Sequence, residues 1–363
     1  MKNKHLFIIP LVLLSLLTGL FSGWFRIGWN LPIPLPSGEH GALMIGSFVG
    51  TLICLERSVS YPNRIALLAP VLNSLSIIFF LLSMPKTAYI FLLAGSVGLV
   101  FIYYFLYVKH KGLHILIMLA GALCFFIGNA ILYNTSFYPA SVMWWIAFLF
   151  FTITGERLEF SKFLLNKNIL IKQLVLLTLL GVFIVSIIMP FHSFGSYLTA
   201  VSFIGSALWL LKFDMAKHSL KKPGVSYYSG LLLITAYIWL AAAGVFFALG
   251  SYFGSYYDAS IHSFFIGFVF LMIFAHAPVI LPAVLKLNIS PFGKSLYIWY
   301  CLLNATLIWR VLCILPEIAP SKQWAGMFNG IVIIGFFVNM IILARLAKHR
   351  STDQAAAPGC CTV

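Results

Sequence analysis

A chain of 363 residues that is 62% hydrophobic, only 9% charged and carries a formal charge of +15 has too little polar surface to fold around a water-soluble core. Ordinary soluble domains are about 25% charged. The basic residues are scattered over short segments instead of gathered in a patch, which argues against a nucleic-acid interface.

A bilayer needs about 20 apolar residues per helical crossing, and the hydropathy pattern supplies twelve such runs. They fall at 6–23, 39–56, 65–84, 88–107, 113–132, 141–158, 168–189, 194–212, 227–249, 260–282, 294–315 and 324–346. The first follows Met1-Lys-Asn-Lys4 and reads as a retained helix, because Phe21-Ser-Gly-Trp-Phe25 is too bulky for a signal-peptide cleavage site. The second opens with Glu39-His40 and closes with Glu56-Arg57. The sixth closes with Gly155-Glu156-Arg157, repeating that dipeptide. The tenth is preceded by Asp258, opens with His262 and closes around His276 and Pro278, where the proline is expected to break the helix. The eleventh carries Arg310 about one turn from its outer end.

The gaps hold turn formers such as Lys222-Pro-Gly224, and none is long enough for a soluble domain. Residues 1–349 therefore read as one transmembrane domain. Residues 350–363 read as a short disordered cytoplasmic tail, with Cys360 and Cys361 on the reducing side. Nineteen of the 23 Lys and Arg residues, from Lys2 and Lys4 to Arg345, Lys348 and Arg350, fall in the even-numbered loops and the termini. The odd-numbered loops keep only Arg26, Lys86 and Lys322. Cytoplasmic loops retain basic residues, so both termini are expected in the cytoplasm and the protein in the cytoplasmic (inner) membrane.

Ionisable side chains inside spans are expensive in lipid and mark functional sites by default. His40 precedes Glu56 by 16 residues, and His262 precedes Pro278 by 16. At 1.5 Å per residue both imidazoles lie roughly 24 Å above the cytoplasmic ends of co-oriented helices. Two histidines at matching depth near the outer face can clamp one metal axially, and haem suits an apolar slot of this kind. Arg310 then neutralises a propionate. The competing cofactor is a Zn, Fe or Cu ion held by Glu39, His40, Asp258 and His262. The plainer alternative makes each histidine an interfacial residue bonded to loop carbonyls. His276 lies roughly 21 Å from His262 along the same helix, too far to share an iron, and reads as a cap on the proline-broken turn. Glu56, Arg57, Glu156 and Arg157 read as interfacial salt bridges in preference to a proton route. Residues adjacent in a helix do not face each other, so each needs a partner on another helix.

The segment His40-Gly-Ala-Leu-Met-Ile-Gly-Ser-Phe48 resembles the His-Gly-x-x-Met stretch of helix 2 in the catalytic subunit of haem–copper oxidases. The segment from His262 through Ala275 is similar to that family's helix 10. Twelve helices and cytoplasmic termini agree. The NnrS family, twelve-helix haem proteins linked to nitric-oxide stress, is a nearer likeness. The resemblance implies an oxidase-subunit-I-like bundle with one low-spin haem b between His40 and His262. It also implies that the oxygen-reducing centre is lost. Ser260 stands where oxidases carry a further histidine, the sixth predicted helix holds no histidine, and the seventh ends before His192. What remains suits electron transfer or a nitric-oxide or redox stress response, supplied with electrons by quinone or a respiratory-chain protein. Two other classes of function stay open. One is a cofactor-free solute transporter using Asn129, Glu156, Asn304 and Arg310; the other is a metal-binding assembly factor of a respiratory complex.

Overall fold

The computed structural model describes residues 7–31, 37–161, 168–251, 254–285, 289–313 and 319–356, and every regular element among them is helical. Eleven of these helices are long and apolar enough to cross a bilayer. They are α1 Ile8–Arg26, α2 Ala42–Ser60, α3 Arg64–Leu81, α4 Pro85–His110, α5 Leu113–Thr135, α6 Tyr138–Ser161, α7 Ile169–Ile188, α8 Ser193–Phe213, α9 Val225–Gly250, α10 Tyr256–Val284 and α12 Ser321–Lys348. A shorter apolar helix, α11 Leu296–Leu312, has 17 residues, about 26 Å at 1.5 Å per residue and just long enough to span. The chain is a multi-pass, all-α membrane protein. Side chains such as Leu170, Ile188 and Leu312 stay more than 70% exposed, which only acyl chains make tolerable. Ser47, Asn73, Ser96 and Asn129 are buried instead.

Local signals set the helix ends. The Asn63 side chain accepts a hydrogen bond from the Ile65 N–H at 3.0 Å and caps the start of α3. Pro85 opens α4, where its missing N–H costs nothing. Lys111 and Ser136 adopt left-handed conformations, with φ 48° and 52°, to stop α4 and α5. Several helices run about three residues beyond their predicted ends, because the backbone ladder continues past the first polar side chains.

Four of the spans depart from ordinary α geometry: α3 opens as a 3-10 turn, Arg64–Leu67, α8 begins in a short π-helical turn, Phe191–Gly195, and α2 and α10 carry longer π-helical stretches. α2 begins as a nine-residue π-helical stretch, Ala42–Gly50, and continues as an α-helix, Thr51–Ser60. α10 runs as α-helix over Tyr256–His262, π-helix over Ser263–Phe270 and α-helix over Leu271–Leu285. π-helical turns are rare and concentrate at functional sites. His40 stands two residues before one stretch, and His262 immediately before the other.

The proline-broken end expected for the tenth helix is not found, because α10 continues through Pro278 and Pro282. Membrane helices tolerate proline when the loosened carbonyls find other donors. Pro278 and Pro282 leave the Phe274 and Pro278 carbonyls without their ladder donors. Next to the first, the Ser229 hydroxyl donates to the Ala275 carbonyl at 2.6 Å, and His276 Nδ1 bonds the Met272 carbonyl at 2.7 Å within the same helix. His276 therefore serves a continuous helix and does not cap a broken one. The last helix, Ala319–Ala356, runs into the segment expected as tail. Cys360 and Cys361 lie outside the described residues, as does the side chain of His192.

The chain divides into two compact units, residues 1–215 with 241–260, and residues 216–240 with 261–363. In the first unit, consecutive helices pair as antiparallel hairpins from α3 through α6, and α7 pairs with α8. Its core is aromatic. Phe183 stacks on Phe203 at 5.2 Å between ring centroids, and Phe150 and Phe247 meet Phe203 edge-on. In the second unit Phe274 stacks on Phe336. A Cβ at Gly267 would lie 2.5 Å from Trp239, so only glycine lets that indole close on the π-helical turn. Trp239 Nε1 donates to Asn304 Oδ1 at 2.8 Å and locks the ring there.

Candidate functional site

The first unit holds two polar clusters, one at each end of α2. At the end where α2 begins, the His40 ring lies against α1. Its Nδ1 makes a 2.7 Å hydrogen bond with the Gly19 carbonyl. A carbonyl only accepts, so Nδ1 carries a proton, and in the neutral ring the lone pair is on Nε2. Gly23, one turn after Gly19, forms the floor of this seat: a Cβ there would stand 2.8 Å from His40 Cε1 and 2.9 Å from Nδ1. Gly19 and Gly23 thus form a small-xxx-small pair that admits an imidazole instead of a second backbone.

Beside His40, the Glu39 carboxylate accepts from Tyr89 of α4, at 2.8 Å to Oε1 and 2.9 Å to Oε2. It also accepts from Tyr138 at the start of α6. Tyr138 covers Gly41, where a Cβ would meet its ring at 3.2 Å, and packs edge-on against Trp145. Trp145 Nε1 donates to Asn129 Oδ1 at 3.0 Å, and Asn129 Nδ2 donates to the Leu92 carbonyl at 3.2 Å. A chain of hydrogen bonds and ring contacts therefore ties the start of α2 to α4, α5 and α6. Ser141 lies one turn from both Tyr138 and Trp145, on their face of α6, with a fully buried hydroxyl that has no hydrogen-bond partner among the described residues. The Trp24 indole N–H, next to Gly23, is buried and unpaired in the same sense.

At the other end of α2 the two repeated dipeptides meet. Arg57 donates to Glu156 of α6 and lies 3.5 Å from Glu56, while its guanidinium stands 6.0 Å from the Tyr103 ring centroid. Arg157 is buried and covers the Phe160 ring at 4.7 Å. His114 of α5 lies 3.4 Å from Glu159. This cluster couples α2, α4, α5 and α6 in low dielectric, at the opposite end of α2 from His40.

The remaining candidates lie on α10 and α11. Asp258 is in the first turn of α10, where a carboxylate favours the helix dipole. His262 ends that α-helical stretch with φ −78° and ψ −27°. Arg310 is 7% exposed in the last turn of α11. One turn before it, Thr306 accepts from Asn329 Nδ2 at 2.8 Å. Among the described residues, no three His, Cys, Asp or Glu side chains gather as a metal-ion site. Sequence reasoning did not find Tyr89, Tyr138, Gly19 or Gly23. The phenols lie 50 and 99 residues from Glu39, with no local signal, whereas Gly19-Leu-Phe-Ser-Gly23 did carry a close-approach pattern.

A family model described as a domain of unknown function, DUF8744, matches residues 5–345, and the chain belongs to that family. No curated protein matches it.

Proposed function

We propose that this membrane protein carries one low-spin haem b near the outer face of the cytoplasmic membrane. Its role is electron transfer or a response to nitric oxide and redox stress, without oxygen reduction. His40 would hold the haem iron, together with His262 as the sequence pattern implies. The observation that carries the reading is the His40 hydrogen bond to the Gly19 carbonyl. A ligating histidine ordinarily donates its other ring N–H to a carbonyl or carboxylate, which fixes the tautomer and aims the ligating nitrogen. Glu39 has both oxygens engaged by tyrosines, which favours a haem over an ion held by carboxylates.

The residues present fit the group. Haem needs an apolar slot and hydrogen-bond donors for its propionates. The buried Ser141 hydroxyl and Trp24 N–H are donors at the His40 end, and Arg310 is a buried cation. The bound haem supplies a one-electron Fe(III)/Fe(II) couple. The protein's own residues orient the ligand, exclude water and balance propionate charge. Quinone or a respiratory-chain protein supplies the electrons. Haem content measured on purified His40→Ala and His262→Ala proteins tests the assignment. Each is expected to lose the low-spin haem of the parent, and full retention in both would discard it.

A further inference from the structure

The start of α2 has an anchoring problem. His40 is followed within two residues by a nine-residue π-helical stretch, which lacks the i→i−4 ladder that normally sets a helix's rotation. Conversion of that stretch to α-helix shifts its register, and each residue of shift turns the helix start by about 100°. A turn of that size carries the His40 ring off Gly19 and Gly23. Something outside α2 must hold its first turn.

Resting on the haem reading, we infer that Glu39, gripped by Tyr89 and Tyr138, is a positioning residue for the His40 ligand. Glu39 closes a 3-10 turn, Ser37–Glu39, directly before His40. Its carboxylate accepts from two helices: the Tyr89 O–H of α4, shared between both oxygens, and the Tyr138 O–H of α6. The next residue bonds a third helix, α1, through its imidazole. Tethers from adjacent residues to different helices fix both the rotation and the height of the helix start. Both phenols donate to a charged acceptor, the stronger class of hydrogen bond. Tyr89 is buried at 2% exposure, and Glu39 beside it is half-buried. A third element helps: Tyr138 also closes over Gly41 and blocks any outward swing of the segment.

The test uses purified full-length protein, with haem content and spin state read together by optical and electron paramagnetic resonance spectroscopy. The variants are Y89F/Y138F, E39A and E39Q. Y89F/Y138F and E39A are expected to fold, as judged by monodisperse elution, and to keep haem on one ligand. Their high-spin fraction should rise at least tenfold, and added imidazole should restore the low-spin signal. E39Q, which retains a carbonyl acceptor for the phenols, should stay close to the parent. A merely structural role would lower the yield of folded protein and leave the spin state of that fraction unchanged, which would overturn the assignment. So would unchanged spectra in all three variants. A parent protein with no haem defeats the underlying reading instead and leaves Glu39 no ligand to position; a low-spin parent with indifferent variants defeats only the positioning role.

Discussion

Gly23→Ala tests the histidine seat with one methyl group. The new Cβ would stand 2.8 Å from His40 Cε1, and relief to an ordinary 3.4 Å contact needs the ring to retreat by about 0.6 Å. Retreat from α1 stretches the 2.7 Å bond to the Gly19 carbonyl to about 3.3 Å, beyond the useful hydrogen-bond range. Loss of that bond costs about 0.5–1.5 kcal/mol, and overpacking a well-filled site adds about 1–3 kcal/mol. Helix propensity pulls the other way, since alanine is better than glycine by about 1 kcal/mol inside a helix. The clash wins, and the net expectation is a loss of about 1–3 kcal/mol. Losing the carbonyl that orients a ligating histidine also weakens metal binding about 10–100-fold, so haem affinity should fall by that factor. Thermal melting in detergent and haem titration read both effects. A variant that melts higher than the parent and binds haem equally well would refute the seat.

The ion pair at the other end of α2 should show up in a double-mutant cycle. Arg57 and Glu156 are 19% and 25% exposed, between the surface case worth about 0–1 kcal/mol and the buried case, where removing one partner costs about 3–5 kcal/mol. Arg57→Met and Glu156→Gln should therefore couple by about 1–3 kcal/mol in denaturation experiments, and additive effects would contradict the pairing. Asn129→Leu leaves the buried Trp145 N–H without its acceptor and should cost about 1–3 kcal/mol; an unchanged melting temperature would exclude that bond. Tyr103→Phe removes a buried hydroxyl that has no hydrogen-bond partner among the described residues while keeping the ring beneath Arg57. Its effect should stay within about 0.5 kcal/mol or be stabilising, and a loss well above 1 kcal/mol would indicate a water bound there.

The spans were legible because lipid imposes a length and a composition together. Even the short α11 showed as an apolar run. Helix ends were less legible, since polar residues such as Lys109 and His110 still continue the ladder of α4. The π-helical stretches left no trace in the sequence: Ala42–Gly50 and Ser263–Phe270 read as ordinary apolar runs, because hydrogen-bond register has no compositional mark. Pro278 misled for the opposite reason. Its rule is written for helices in water, and the Ser229 hydroxyl that relieves a neighbouring carbonyl lies 46 residues away. The repeated Glu-Arg called for a partner on another helix, but only the fold could pair Arg57 with Glu156 across 99 residues. His40 stood out by its position in the sequence, whereas its hydrogen-bond partner is a backbone carbonyl, which no side-chain pattern can announce.

The most direct test of the account is a reduced-minus-oxidised optical spectrum of the detergent-purified protein, expressed with ample haem and compared with His40→Ala. The expected result is a sharp low-spin b-type spectrum at one haem per chain, absent or converted to high-spin in the variant. A featureless spectrum, or a haem band identical in the variant, would contradict it.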